Sequence, residues 1–127
     1  MPTVALVAFS TGHYRYALEA SQVRRLTLHA DVERVIRAAA LLGLPDNDAP
    51  PDRWLTLSDA QGVWQLGVGG SVELIEWPAS ALYPLPALVK ARALAPLCGV
   101  AMQGARAELW LLDAERLTGP TAPATDT

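Results

Sequence analysis

Between Ser71 and Leu117 the chain is cut into short apolar runs by turn residues, and this leaves room for little except β-hairpins. The segment begins SVELIEWPASALYPLPAL and closes GVAMQGARAELWLLDAERL. One run ends in Glu76-Trp77-Pro78, a spacer carries Leu82-Tyr83-Pro84-Leu85-Pro86, and a hairpin returns through Gly99-Val100-Ala101. Leu97 to Met102 turns at Gln103-Gly104-Ala105-Arg106 into Ala107 to Leu112. Acids in Asp113-Ala114-Glu115 suit the start of a terminal helical turn.

The first half follows the same rule. Val4 to Phe9 is an apolar run bounded by Ser10-Thr11-Gly12, and His13 to Ala20 alternates with Tyr14, Tyr16 and Leu18 on one face. Together they predict a hairpin. Gln22 to Leu28 predicts a third strand. Arg53 to Leu57 and Val63 to Val68 predict another hairpin across Ser58 to Gly62, which makes Trp54 and Trp64 cross-strand neighbours. Gly67-Val68-Gly69-Gly70 is followed by a strand and not a helix, so it predicts a tight turn and not a phosphate loop. Val72 to Trp77 is then a separate strand.

One segment changes period. Asp31 is a good N-cap, and Val32, Val35, Ile36, Ala39 and Leu42 recur at helical spacing before Gly43. The spacing predicts a helix from Val32 to Leu42. Pro45 to Asp52 predicts a solvated loop, and Gly119 to Thr127 lacks an apolar anchor, so residues 118–127 are expected to be a disordered tail. Residues 1–117 are expected to form a single domain, mainly β with one helix.

Composition narrows the function. With 127 residues and 51% hydrophobic content, the chain has enough apolar surface to build a core. The net charge of −3 is interspersed and no basic stripe occurs, so no nucleic-acid contact is expected. No apolar run approaches the ~18 residues of a membrane span. The first residues lack a basic leader, and the single Cys98 fits a reducing compartment, so a cytoplasmic location without membrane insertion is expected. His13, His29 and Cys98 have no metal-ligand spacing. Neither histidine lies beside a nucleophile motif, and Glu73 and Glu76, three apart on a strand, face opposite sides. No catalytic, cofactor or metal site is expected.

The order of elements from Ser71 to Leu117, and the opening hairpin followed by Ala20-Ser21-Gln22-Val23-Arg24-Arg25-Leu26, resemble the CheW-like domain of bacterial chemotaxis. The resemblance covers Val4 to Leu28 and Ala40 to Leu117. It implies two small packed SH3-like β-barrels, no cofactor and no catalysis. The implied role is that of an adaptor coupling the cytoplasmic tip of a chemoreceptor to the regulatory domain of a histidine kinase. The partner-binding residues it suggests are apolar ones at strand ends: Val72, Leu74, Trp77, Leu82, Tyr83 and Leu85.

The middle departs from the family. There the family carries Gly-hydrophobic-x-x-Arg-Gly and then Pro-hydrophobic-hydrophobic-Asp-Leu, whereas here only His29 to Leu41 separate Leu28 from Leu42. One barrel is therefore expected to be incomplete and one partner interface altered, with the Val32–Leu42 helix plugging the opening. The alternative is a small ligand-binding or sensory β-barrel whose aromatic side chains line a pocket.

Overall fold

A single strand of 17 residues, Gly62–Pro78, organises the molecule. The computed structural model describes residues 2–11, 14–43, 51–85, 97–114, 116, 117 and 119. In chain order the strands are β1 (Thr3–Thr11), β2 (Tyr14–Glu19), β3 (Arg25–Thr27), β4 (Val35–Arg37), β5 (Arg53–Asp59), β6 (Gly62–Pro78), β7 (Leu82–Pro84), β8 (Leu97–Gln103) and β9 (Arg106–Leu112). Among the described residues the one α-helix, α1, is the single turn Ala38–Leu41. The first half of β6 pairs with β5 and β4, and β3 joins the outer side of β5. The second half pairs with β1, and the sheet continues through β2, β9, β8 and β7. A four-stranded lobe and a six-stranded lobe thus share one strand.

The double glycine is where the strand passes from one lobe to the other. The expected turn at Gly67–Gly70 does not exist: Gly67 pairs with Trp54 and Arg37, and Gly69 already pairs with Ser10 of β1. A register shift between Ala8 and Ser10 accommodates the change of partner. Gly67 is needed there because a Cβ would lie 2.8 Å from the Trp54 ring and 2.7 Å from Pro51. Trp54 therefore faces glycine, and Trp64 faces Leu57; the two indoles are not cross-strand neighbours.

The expected helix from Val32 to Leu42 is also corrected. Val35–Arg37 is a strand, parallel to Gln65–Gly67, and only Ala38–Leu41 is helical. Ile36 pairs with Leu66 and packs against the main core. The segment thus adds a strand to the four-stranded lobe and does not plug it. The approach to β4 is held by Gln65, which is fully buried. Its Oε1 accepts the Asp31 N–H at 2.9 Å, and its Nε2–H donates to Asp31 Oδ1 at 2.7 Å and Thr56 Oγ1 at 3.0 Å. A buried amide satisfied on both ends pins the crossing chain to the sheet.

Two apolar clusters fill the fold. The main one gathers Leu55, Leu57, Trp64, Leu66 and Val68 from the four-stranded lobe with Val7, Phe9, Tyr16, Leu18 and Leu112 from the other. It is the seam between the lobes. The second, made of Leu6, Ala8, Ala17, Ala101 and Leu109, lies inside the curled six-stranded sheet. Burial raises the Tyr16 phenol above its usual pKa, with nearby Tyr14 adding a smaller push.

Arg34 and Asp59 form a largely buried ion pair at the edge of the seam. The Arg34 hydrogen bonds, more than the N–H groups of Gln61 and Gly119, hold the Asp59 carboxyl well below the usual carboxylate range. The stability this contributes is complete above about 3.9, the ordinary pKa of an aspartate, and is lost as pH falls through the lowered folded value.

Candidate partner-docking surface

The six residues singled out in the sequence lie on the second half of β6, on β7 and just after it, but burial separates them. Side chains on β6 alternate across the sheet. Ile75 and Trp77 turn inward to the second cluster, and Leu74 turns outward, 73% exposed. Val72, on the same side as Leu74, is half-buried against the main cluster. Leu82 pairs with Ala101 and packs inward, whereas Tyr83 pairs with Val100 and is 52% exposed. Leu85 is only 7% exposed and is buried in the fold.

Trp77 has a structural task. Its Nε1–H donates to the Met102 carbonyl at 3.2 Å, tethering β6 to β8, its non-neighbour in the strand order. Leu74 and Tyr83 lie on strands at the two ends of the path through the six-stranded sheet, and no strand pairing joins them. Burial thus divides the six: Leu74 and Tyr83 are exposed, Val72, Trp77 and Leu82 half-buried, and Leu85 buried.

The structure adds an element that sequence reasoning missed. Tyr83 pairs with Val100, Val100 with Trp110, and Trp110 with Tyr16, giving a cross-strand row that starts at the surface and ends in the core. The exposed Tyr14 ring stands edge-on to Trp110, with centroids 6.5 Å apart and planes at 81°. Edge-to-face aromatic pairs of this kind keep large apolar rings ordered at a surface. Close approach of β7 and β8 depends on Gly99, where a side chain would collide with the Tyr83 carbonyl.

Hairpin arithmetic does not reach this row. Gln103 pairs with Arg106 and Met102 with Ala107, which extrapolates to Val100 opposite Leu109. An irregularity between Ala101 and Met102 moves the pairing by one, so that Val100 faces Trp110. A shift of one residue changes which side chains share a face.

A cavity of about 230 Å³ opens beside the second cluster, lined by Val4, Leu6, Ala17, Leu82, Cys98 and Leu111 with Glu19, Gln22 and Asp113. No aromatic side chain lines it, so it is not the aromatic pocket of the sensory-barrel alternative. Among the described residues, no three His, Cys, Asp or Glu side chains cluster as a metal site would require. Glu73 is in an ion pair with Arg15 at 3.7 Å, and Asp113 with Arg116 at 3.7 Å. Among the described residues no helix is long and apolar enough to cross a membrane.

No protein-family model matches the chain, and no curated protein matches it. Among solved structures it is similar to the scaffolding protein CheW of Thermoanaerobacter tengcongensis, with a TM-score of 0.73 over 92% of this chain and 92% of that one. Sequence identity across the match is 17%. A backbone match of that extent at so low an identity rests on strand order and pairing, the features described above. The chain has the CheW-like fold.

Proposed function

We propose that this protein is a non-enzymatic adaptor of a chemosensory or motility system. It links the cytoplasmic tip of a chemoreceptor to the regulatory domain of a histidine kinase, works in the cytoplasm, and uses no cofactor. The observation that carries this reading is the likeness, over nearly the whole chain, to a protein described as a scaffold. The exposed apolar side chains Leu74 and Tyr83 on β6 and β7 are the surface on which the reading is tested. Leu74 and Tyr83 are the contact residues, with Val72, Trp77 and Leu82 holding the strands that present them. Leu85 anchors the end of β7 from within. The altered interface is the one served by β4 and α1, where the chain departs most from the family pattern.

Direct binding tests this. Receptor-tip helices and kinase regulatory domains from the same genome are presented to the immobilised protein, with Leu74→Asp and Tyr83→Ala alongside. At least one partner binds, and at least one variant loses about tenfold in affinity, the scale of a hot-spot contact. If the folded parent binds no receptor tip and no kinase domain, the proposal fails. If it binds but neither variant weakens, the role stands and the surface is wrong.

A further inference from the structure

β9 ends in the six-stranded lobe, yet the chain that follows it returns to the other lobe. The Leu117 N–H donates to the Asp113 carbonyl at 3.2 Å, closing one helical turn, and Leu117 enters the main core. Two residues later the Gly119 N–H donates to Asp59 Oδ2 at 3.0 Å. Asp59 ends β5, and its carboxylate also receives both terminal nitrogens of Arg34 and the Gln61 N–H. Arg34, only 8% exposed, donates in addition to the Gly62 carbonyl at 3.3 Å. One carboxylate gathers three segments that are distant in sequence.

Gly119 also lies against Trp64. A Cβ there would sit 2.5 Å from the indole Cγ, 2.7 Å from Cδ2 and 2.9 Å from Arg34 Nη2, so only a residue without a side chain fits. Trp64 is completely buried, and its Nε1–H finds no hydrogen-bond partner among the described residues. A donor left unmade in the interior is a standing cost that contact with water removes. Among the described residues, the bonds that hold Leu117 and Gly119 lie outside the strand ladders, so this closure can open while the strands stay paired.

We propose that the segment carrying Leu117 and Gly119 is a releasable latch between the two lobes. Asp59, oriented by Arg34, is the catch; the Gly119 amide engages it, and the Trp64 indole is the surface it covers. Opening breaks the Gly119 to Asp59 bond and lets the Trp64 N–H reach water, which offsets part of the loss. The latch gives the lobe seam a local opening distinct from global unfolding.

Hydrogen exchange of ¹⁵N-labelled full-length protein tests this, with the Trp64 indole resonance assigned from Trp64→Phe. In Gly119→Ala the Trp64 indole proton exchanges about tenfold faster, while the Leu18 and Leu109 amides in the sheet keep the parent rates. Leu57→Ala, which weakens the core generally, raises all three together. An unchanged Trp64 rate in Gly119→Ala, or one that rises only in step with Leu18 and Leu109, overturns the proposal. Should Gly119→Ala not fold, the parent in sub-denaturing guanidinium decides the matter. The Trp64 indole proton and Leu117 amide must then exchange through an opening that depends less on denaturant than that of Leu18; equal dependence overturns the latch.

Discussion

β1, β2 and β9 send side chains into both apolar clusters, whereas β6 beyond Val72 and β7 pack only against the inner one and leave much of their other face to solvent. On β1, Leu6 and Ala8 enter the second cluster while Val7 and Phe9 enter the first. On β2, Ala17 goes one way and Tyr16 and Leu18 the other, and β9 divides Leu109 from Leu112 likewise. Strands covered on both faces read as continuous apolar runs, as in Leu6 to Phe9 and Leu109 to Leu112. From Leu74 to Trp77 on β6 the pattern is a one-sided alternation, with Leu74 and Glu76 exposed and Ile75 and Trp77 turned in. The first region is committed to holding the lobes together. The second carries apolar surface that folding does not require, and there a partner can be met without cost to the core.

The strongest test of this division is Leu18→Ala, in the middle of the two-faced region and fully buried. It is expected to cost about 2–5 kcal/mol through lost burial and the cavity left behind. Denaturant unfolding measures it, and a loss below about 1 kcal/mol would break the comparison at its firmer end. Ala101→Leu probes the inner cluster, whose members are small where the curled sheet is narrow. Overpacking there should destabilise by about 1–3 kcal/mol, and the same unfolding curve read without change would mean that the curl has slack. Trp77→Phe keeps an aromatic ring on β6 but removes the bond to the Met102 carbonyl and some packing against the second cluster. The expected loss is about 1 kcal/mol, with faster amide exchange confined to β6 and β8. Leu74→Asp is the smallest effect on stability, within about 0.5 kcal/mol, because the side chain is already in water. A melting temperature that drops by many degrees would show that Leu74 packs in the fold, and the contrast between the regions would lose its basis.

Much of the strand pattern was legible from the sequence, because it is local. The opening hairpin, the Ser58–Gly62 and Gln103–Arg106 turns and the strands on either side of them follow from alternation and turn residues. Two of the errors share a cause. Val32, Val35, Ile36, Ala39 and Leu42 have helical spacing, yet Val35–Arg37 joins β6 as a parallel strand. Helix preference amounts to only tenths of a kcal/mol per residue, and ladder bonds with burial of Ile36 against the core outweigh it. Gly69 and Gly70 look like a turn but carry one strand from lobe to lobe, which depends on a partner, Ser10, some sixty positions away.

The candidate surface shows the same limit. Apolar residues near strand ends could be named from the sequence, but Leu74 and Leu85 look alike there and differ in the fold, one exposed and the other buried. The Tyr83–Val100–Trp110 row needs the irregularity in β8 that puts Val100 opposite Trp110. By itself the sequence determined where most strands run and where most of them turn, since periodicity and turn chemistry act over a few residues. Only the tertiary structure decided which strand faces are covered, how Arg34, Asp59 and Gly119 meet, and that β6 belongs to two lobes. Those outcomes depend on packing between segments far apart in the chain, where a register shift of one residue exchanges the inner face for the outer.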